Sequence, residues 1–157
     1  MSSRSTAEVD CEPTVRLSLQ ERGELEALRF KWIESEKAGH DLGETAVRLW
    51  VRRHWHRFIR QKWLEHLHGE AYWVEFDPGS FGVLRRSRLL DCPLAATVLE
   101  HFRWGEENLH ILQWAIDAKQ PMDEIHVILT TLDVNLARVP CRFDPARTTQ
   151  TRYHRVG

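Results

Sequence analysis

The sequence predicts a mainly α-helical protein, a single domain of about five helices with one short β-hairpin (71–76/81–85) between helices two and three. Apolar residues recur at helical spacing between residues 18 and 138, and helix start and stop signals lie at the ends of those stretches. In residues 71–76, by contrast, Tyr72, Val74 and Phe76 occupy every second position, as residues on one face of a strand do. The 157 residues, 42% hydrophobic and 29% charged, match an ordinary globular domain and exclude a collagen-like or wholly disordered chain.

The predicted domain spans residues 18–138, between two segments that lack periodicity. Residues 1–17 are expected to form a flexible leader. Residues 139–157 are expected to form a basic flexible tail, in which Phe143 and Tyr153 are the apolar contact points. No internal repeat and no Gly- or Ser-rich linker divides the chain, so a single domain is predicted.

The first helix is predicted to begin after Ser18. Ser18 and Glu21 form the S-x-x-E pattern of a capping box, and Gly39 provides a left-handed stop. Four apolar residues at helical spacing are expected to face the core: Leu25, Leu28, Trp32 and Ile33. The turn after Gly39 is very short, so the next helix should return antiparallel or cross at a sharp angle.

The second helix is predicted from about Leu42, after a cap formed by Asp41 and Glu44, to Gly69. A helical wheel makes its first half amphipathic, with Val, Trp and Phe on the buried side. The other side carries a basic stripe, the candidate binding surface: Arg48, Arg52, Arg53, His56, Arg57 and Arg60. Beyond Phe58 the apolar positions move to the opposite side of the wheel. No proline forces a kink there, so the two halves are expected to bury against different neighbours.

Local signals predict the remaining elements. Residues 71–76 form a strand, 77–80 a turn, and 81–85 the returning strand. Three helices follow: one capped by Asp91 and ending at Gly105, one around 109–116, and one from Pro121 to about Asn135. Their expected inward residues include Leu94, Val98, Leu99, Phe102, Leu109, Leu112, Ala115, Ile116, Ile125, Ile128, Leu129 and Leu132.

The net charge of −1 conceals alternating blocks of charge. Residues 46–68 contain six basic and one acidic residue, whereas 91–137 contain two basic and eight acidic residues. Residues 1–45 are net acidic and the last twenty residues are net basic. Such a pattern fits self-association through complementary patches, docking of the tail on an acidic helix face, or an anionic partner. It also fits helix faces that are simply solvated.

No catalytic site, metal site or cofactor is predicted. The nine histidines lack i, i+3 or i, i+4 partners, because pairs two apart on a helix point about 200° from each other. A metal site assembled from distant segments, with His101 or His110, is the alternative. Cys92 lies in a first helical turn without a nearby base. Three carboxylates near the hairpin fit solvated charges as well as they fit a site: Glu65, Glu70 and Glu75.

The three cysteines are odd in number and widely spaced, which argues against a disulfide framework. The N-terminal residues lack the apolar core of a signal peptide, and no apolar run is long enough to span a membrane. A cytoplasmic protein with reduced thiols is therefore predicted.

Residues 31–50, KWIESEKAGHDLGETAVRLW, resemble a segment of the form K-W-x-x-S-E-K-A-G-x-D-x-G in uncharacterised bacterial proteins. The resemblance is confined to this segment; it implies a bacterial protein and no particular activity. Gly39, Asp41 and Gly43 make the segment a structural corner between two helices. The alternative is a polar site formed by Ser35, Glu36, Lys37, His40 and Asp41.

These features predict a small non-enzymatic protein-interaction or assembly module. Trp73 and Trp104 are its candidate exposed anchors, and its partner is another protein or a second copy of the chain. The alternative is a nucleic-acid-binding protein that uses the basic helix 46–62 and the basic tail. A basic amphipathic helix also suits a membrane surface.

Overall fold

The computed structural model describes residues 15–150 and confirms a mainly helical protein. Those residues form seven α-helices rather than about five: α1 (Leu19–Ala38), α2 (Glu44–His68), α3 (Val83–Arg86), α4 (Pro93–Arg103), α5 (Asn108–Asp117), α6 (Met122–Leu132) and α7 (Pro145–Gln150). Three short 3-10 turns lie at Pro78–Ser80, Leu89–Asp91 and Val134–Ala137. Helices α3 and α7 were not predicted because four and six residues are too few to show a 3.6-residue period.

The predicted β-hairpin is wrong. Strand β2 is only Tyr72–Trp73, and it pairs in parallel with β1, Arg16–Leu17, from the segment expected to be a leader. The chain that should have returned as a second strand instead begins α3, because Gly82 has a left-handed backbone at φ +73°. Alternation at 71–76 therefore identified a strand but not its partner, which lies more than fifty residues earlier in the sequence.

The N-terminus of α1 is capped by two groups, one local and one distant. As predicted, Ser18 is the N-cap, and its hydroxyl accepts a hydrogen bond from the Glu21 amide at 3.3 Å. The carboxylate of Glu75 accepts from the Ser18 hydroxyl and the Leu19 amide, both at 2.7 Å, and from the Gln20 amide at 3.0 Å. A negative charge is favourable there because the helix N-terminus carries free N–H groups and a partial positive charge.

Helices α1 and α2 form a closely packed pair. Gly39 ends α1 in a left-handed conformation, as predicted, and Gly43 is the N-cap of α2. Asp41 is not the cap itself; its carboxylate accepts from the Gly43 amide at 2.9 Å, so the helix starts at Glu44. Near the start of α1, the indole of Trp55 lies directly against the position that a side chain at Gly23 would occupy. The absence of a side chain at residue 23 allows this close approach.

The two halves of α2 contact different parts of the molecule, although the helix is continuous from Glu44 to His68. In the first half, Trp50, Trp55 and Phe58 form an aromatic cluster beside α1. In the second half, Trp63 packs edge-on against Phe76 at 4.9 Å between ring centres. A helix surrounded in this way is the centre of the core.

Side chains of α2 also donate hydrogen bonds to main-chain carbonyls of four separate segments. The Trp55 indole N–H donates to Val139 O at 2.7 Å, and that of Trp63 to Leu132 O at 2.8 Å. Arg60 Nη1 donates to the carbonyls of Phe102 and Glu106, and His66 Nε2 lies 2.9 Å from the Asp77 carbonyl. Each bond satisfies a carbonyl outside regular pairing or near a helix end.

Residues 139–150 differ from the predicted flexible tail. Phe143 packs edge-on against Trp55 at 5.9 Å, and α7 lies against α1 and α2. Gln20 also binds this segment, donating to Pro140 O and accepting from the Arg142 amide. Lack of periodicity did not reveal these contacts because they depend on single aromatic and polar side chains. Tyr153, like Cys11, lies outside the described residues.

Helices α4–α6 form the other side of the core. In α6 the four predicted residues, Ile125, Ile128, Leu129 and Leu132, are all buried. In α5 the buried residues are Ile111 and Ala115, whereas Leu109 and Ile116 point outwards. The predicted inward side of α5 was right for Ala115 and for the half-buried Leu112, and wrong for Leu109 and Ile116, because this helix carries apolar residues on both of its sides.

We expect Glu75→Ala to lower the free energy of unfolding by about 2 kcal/mol, because three donors at the start of α1 lose a charged acceptor. Chemical denaturation measures the loss. The matched control is Glu70→Ala, an exposed carboxylate on the same connection, with an expected change within about 0.5 kcal/mol. Equal effects of the two substitutions would contradict the capping role of Glu75.

Candidate interaction surfaces

The predicted basic stripe of α2 divides into exposed and structural residues. Arg52, Arg53 and Arg57 are exposed and make no ion pair with any other described residue. Arg48 is exposed but paired with Glu44, one turn earlier on the same helix. As far as the described residues show, only the middle of the stripe therefore presents positive charge without an ion-pair partner.

Arg60 is not a surface residue, which corrects its assignment to the stripe. Its side chain is 1% exposed, and its guanidinium lies 4.6 Å from the centre of the Phe102 ring. Besides the two carbonyls that it binds, its Nη2 lies 2.8 Å from Glu107 Oε1. Arg60 is buried because it lies in the second half of α2, where the inward-facing positions are on the opposite side of the helix from those of the first half.

Three basic side chains contact Glu107, which lies between α4 and α5. In addition to Arg60, His56 Nε2 lies 3.4 Å from Glu107 Oε1 and Arg138 Nη2 lies 3.3 Å from Glu107 Oε2. Burial opposes ionisation of this carboxyl, but the three basic groups outweigh it and hold the pKa of Glu107 below its usual value. His56 is thus exposed but engaged at this junction, rather than available as part of a free stripe.

An open groove runs between α1 and α2, with a volume of about 370 Å³. Its floor and walls are mainly apolar and aromatic: Phe30, Ile33, Trp50 and Phe58. Glu26, Arg29, His54, Arg57 and Gln61 line the rest of it. This α1–α2 groove combines an apolar interior with two arginines at its edge, and one of them is the exposed Arg57.

Trp104, at the end of α4, is the most exposed aromatic residue among the large apolar side chains of residues 15–150. It is 70% exposed, and the neighbouring helix α5 presents Leu109 at 74% and Ile116 at 57% exposure. We call these three side chains the Trp104 surface. A cavity of about 360 Å³ beside Trp104 is lined by Ala96, Thr97, Glu100, His101 and Glu106. His101 is fixed there by Glu106 at 2.5 Å and by the ring of Trp114.

Trp73, the second predicted anchor, is buried at 2% exposure and cannot serve as an exposed anchor. Strand β2 holds it in the core, where Lys62 Nζ lies 5.5 Å from the centre of its ring. The missed residues, Leu109 and Ile116, share one side of α5 and were assigned to its core face.

The corner at residues 31–50 has the contacts of a helix connection. Ser35 Oγ accepts from the Leu42 amide at 3.0 Å, and Lys31 Nζ lies 3.7 Å from the Asp41 carboxylate. A cavity of about 310 Å³ lies beside Trp32 and His40. The polar groups of Ser35 and Asp41 are thus engaged by the turn itself, as a structural corner requires.

His66 is a buried, neutral histidine with both ring nitrogens bonded. Its Nδ1 accepts from the Trp73 amide at 3.3 Å, so Nε2 carries the proton that is donated to Asp77 O. The ring stacks on Trp63 and touches Tyr72, Phe76 and Phe81. Burial lowers the pKa of His66, against the opposing effect of the Asp77 carbonyl.

The carboxylates proposed as a site are separate. Glu65 pairs with Lys62 at 3.0 Å, whereas Glu75 caps α1. Among residues 15–150, no group of three or more His, Cys, Asp or Glu side chains is arranged to hold a metal ion. Within the same residues, no helix combines the length and apolar character needed to span a membrane.

Comparison with known proteins provides no relative for this chain. No protein-family model, no curated protein and no solved structure matches it.

We expect Arg60→Ala to lower the free energy of unfolding by about 3 kcal/mol or more, because it leaves Glu107 and two carbonyls without their buried donor. Arg57→Ala, three residues earlier on the same helix, should change it by less than about 0.5 kcal/mol. Urea denaturation of both variants measures the difference. A similar loss of unfolding free energy in the two variants would contradict the division of the basic stripe into exposed and structural residues.

His66 should make the protein less stable in mild acid. Because its folded pKa is lowered from 6.5, the unfolded chain binds the proton more readily, and stability falls as the pH drops below that value. Above about pH 7.5 this contribution is complete and constant. Urea midpoints measured from about pH 7.5 to 5.5 should decline more steeply for the wild type than for His66→Gln. Parallel slopes would show that His66 does not titrate differently on folding.

Proposed function

We propose that this chain is a non-enzymatic protein-interaction module that binds its partner through the Trp104 surface. The single observation that carries the proposal is the 70% exposure of Trp104. Large aromatic side chains dominate the energy of protein interfaces, because an indole removes much apolar area from water at a small entropic cost. Such a side chain gains most when a partner covers it.

Two further apolar side chains are exposed on the helix that follows Trp104. Leu109 and Ile116 lie on one side of α5 and add exposed apolar area to this part of the molecule. Glu100 and Glu106 line the adjoining cavity, and residues 91–137 contain eight acidic but only two basic residues. An apolar centre with acidic surroundings favours a partner that offers an apolar pocket framed by basic side chains.

Nucleic-acid binding is the second candidate function, favoured by the exposed arginines at 52, 53 and 57, which make no ion pair within the described part of the chain. The aromatic α1–α2 groove beside Arg57 would give an unstacked base a surface to contact. Two observations weigh against it. Arg60 and Arg48 are engaged within the protein, and the three arginines of α2 that make no ion pair among the described residues provide little of the phosphate neutralisation on which such binding depends.

Site-specific photocrosslinking tests the interaction proposal. A benzoylphenylalanine introduced at position 109 should crosslink to a protein in the cells that produce this chain, because Leu109 is exposed and follows Trp104 by five residues. The crosslink should be lost on Trp104→Ser, which removes an exposed side chain and should leave stability within about 0.5 kcal/mol.

The matched control carries the same crosslinker at position 127, an exposed apolar residue of α6 outside the Trp104 surface. No protein adduct from position 109, or equal adducts from both positions in the wild type and in Trp104→Ser, would refute the Trp104 surface as the point of contact.

A further inference from the structure

We infer that the partner is a second copy of this chain: the Trp104 surface of one copy docks in the α1–α2 groove of the next. The inference rests on the proposed function and specifies the partner of the same surface. It follows from the shape of the groove, the distribution of charge and the placement of the two surfaces on one molecule.

The α1–α2 groove has the size and lining that an indole requires. Its volume of about 370 Å³ lies within the range of pockets that enclose small ligands. Phe30, Trp50 and Phe58 present aromatic rings, which pack against an indole in offset or edge-on geometry. Ile33, 42% exposed, adds an aliphatic wall that is open to a partner.

The charges at the edges of the two surfaces are opposite. Arg29 and Arg57 line the groove with a single acidic residue, Glu26. Glu100 and Glu106 line the cavity beside Trp104, where they contact Arg103 and His101 respectively. The groove is apolar with arginines among its lining residues, and the indole has carboxylates beside it. The two surfaces are therefore complementary in both polarity and charge.

Within one molecule, the described residues form few ion pairs between these opposite charges. Between the basic block 46–68 and the acidic block 91–137, the ion pairs of the described residues all converge on Glu107, from His56 and Arg60. Among residues 15–150, the basic side chains at 52, 53 and 57 have no such partner, and neither does the groove-lining Arg29. A second copy brings the unpaired basic side of α2 to the acidic side of α4 and α5.

The two surfaces share no residue, so each copy can donate a Trp104 surface and receive another one at the same time. Such a contact is head-to-tail rather than a symmetric pairing of identical patches. Head-to-tail contacts close into rings or continue as open chains. The smallest such ring is a dimer in which two copies exchange both contacts across a two-fold axis.

Mixing two defective variants tests the inference. Trp104→Ser removes the docking side chain, and Ile33→Glu places a negative charge in the receiving groove; both positions are exposed, so the fold should be kept. In sedimentation velocity, the wild type should form dimers or larger closed or open assemblies, weakened by salt. Each variant alone should associate at least tenfold more weakly. An equimolar mixture should form dimers of one copy of each, because one intact groove and one intact Trp104 surface remain.

Val127→Glu is the control, since it adds a charge at an exposed apolar residue outside both surfaces and should associate like the wild type. A monomeric wild type at millimolar concentration, association that survives both variants, or a mixture that stays monomeric would each overturn the inference. If the wild type is monomeric but position 109 still crosslinks to a different protein, the proposed function stands and only the self-association fails. Salt-sensitive binding of a mixed-sequence oligonucleotide, lost in Ile33→Glu or Arg57→Glu without any self-association, assigns the groove to nucleic acid instead.

Discussion

Hydrogen bonds from side chains of α2 to main-chain carbonyls hold the remaining segments in place. Trp55, Arg60, Trp63 and His66 are large and buried or nearly so, and each has a polar group that must be satisfied inside the protein. Each group binds a carbonyl from a different part of the chain, at residues 139, 102 and 106, 132, and 77. Apolar packing draws these segments together, and the direction of the hydrogen bonds fixes their positions.

Local signals predicted the parts of the fold that local physics decides. Gly39 and Gly69 end their helices in left-handed conformations, and the spacing of apolar residues identifies the inward side of α6. The hairpin failed because strand pairing is non-local. Residues 72–73 pair with 16–17, and Glu75 continues that contact by capping α1, which no window around residue 75 could indicate.

The candidate surfaces were harder to predict than the helices. A wheel of α2 places Arg52, His56 and Arg60 in one row, yet burial separates Arg60 from the others. The signal for this was present in the sequence, since the apolar positions change sides after Phe58 and leave Arg60 near Ile59, Trp63 and Leu64. The exposure of Trp104 and the burial of Trp73 had no comparable signal, because both depend on which segments cover them.

The contact between α2 and residues 139–150 makes the chain beyond Arg138 part of this core. A fragment ending at Arg138 would leave the Trp55 N–H without its acceptor and uncover the face on which Phe143 rests. Trp55 also sets the spacing of α1 and α2 at Gly23, so the loss would loosen both walls of the α1–α2 groove. The last described turns of the chain therefore govern the shape of a groove formed more than eighty residues earlier in the sequence.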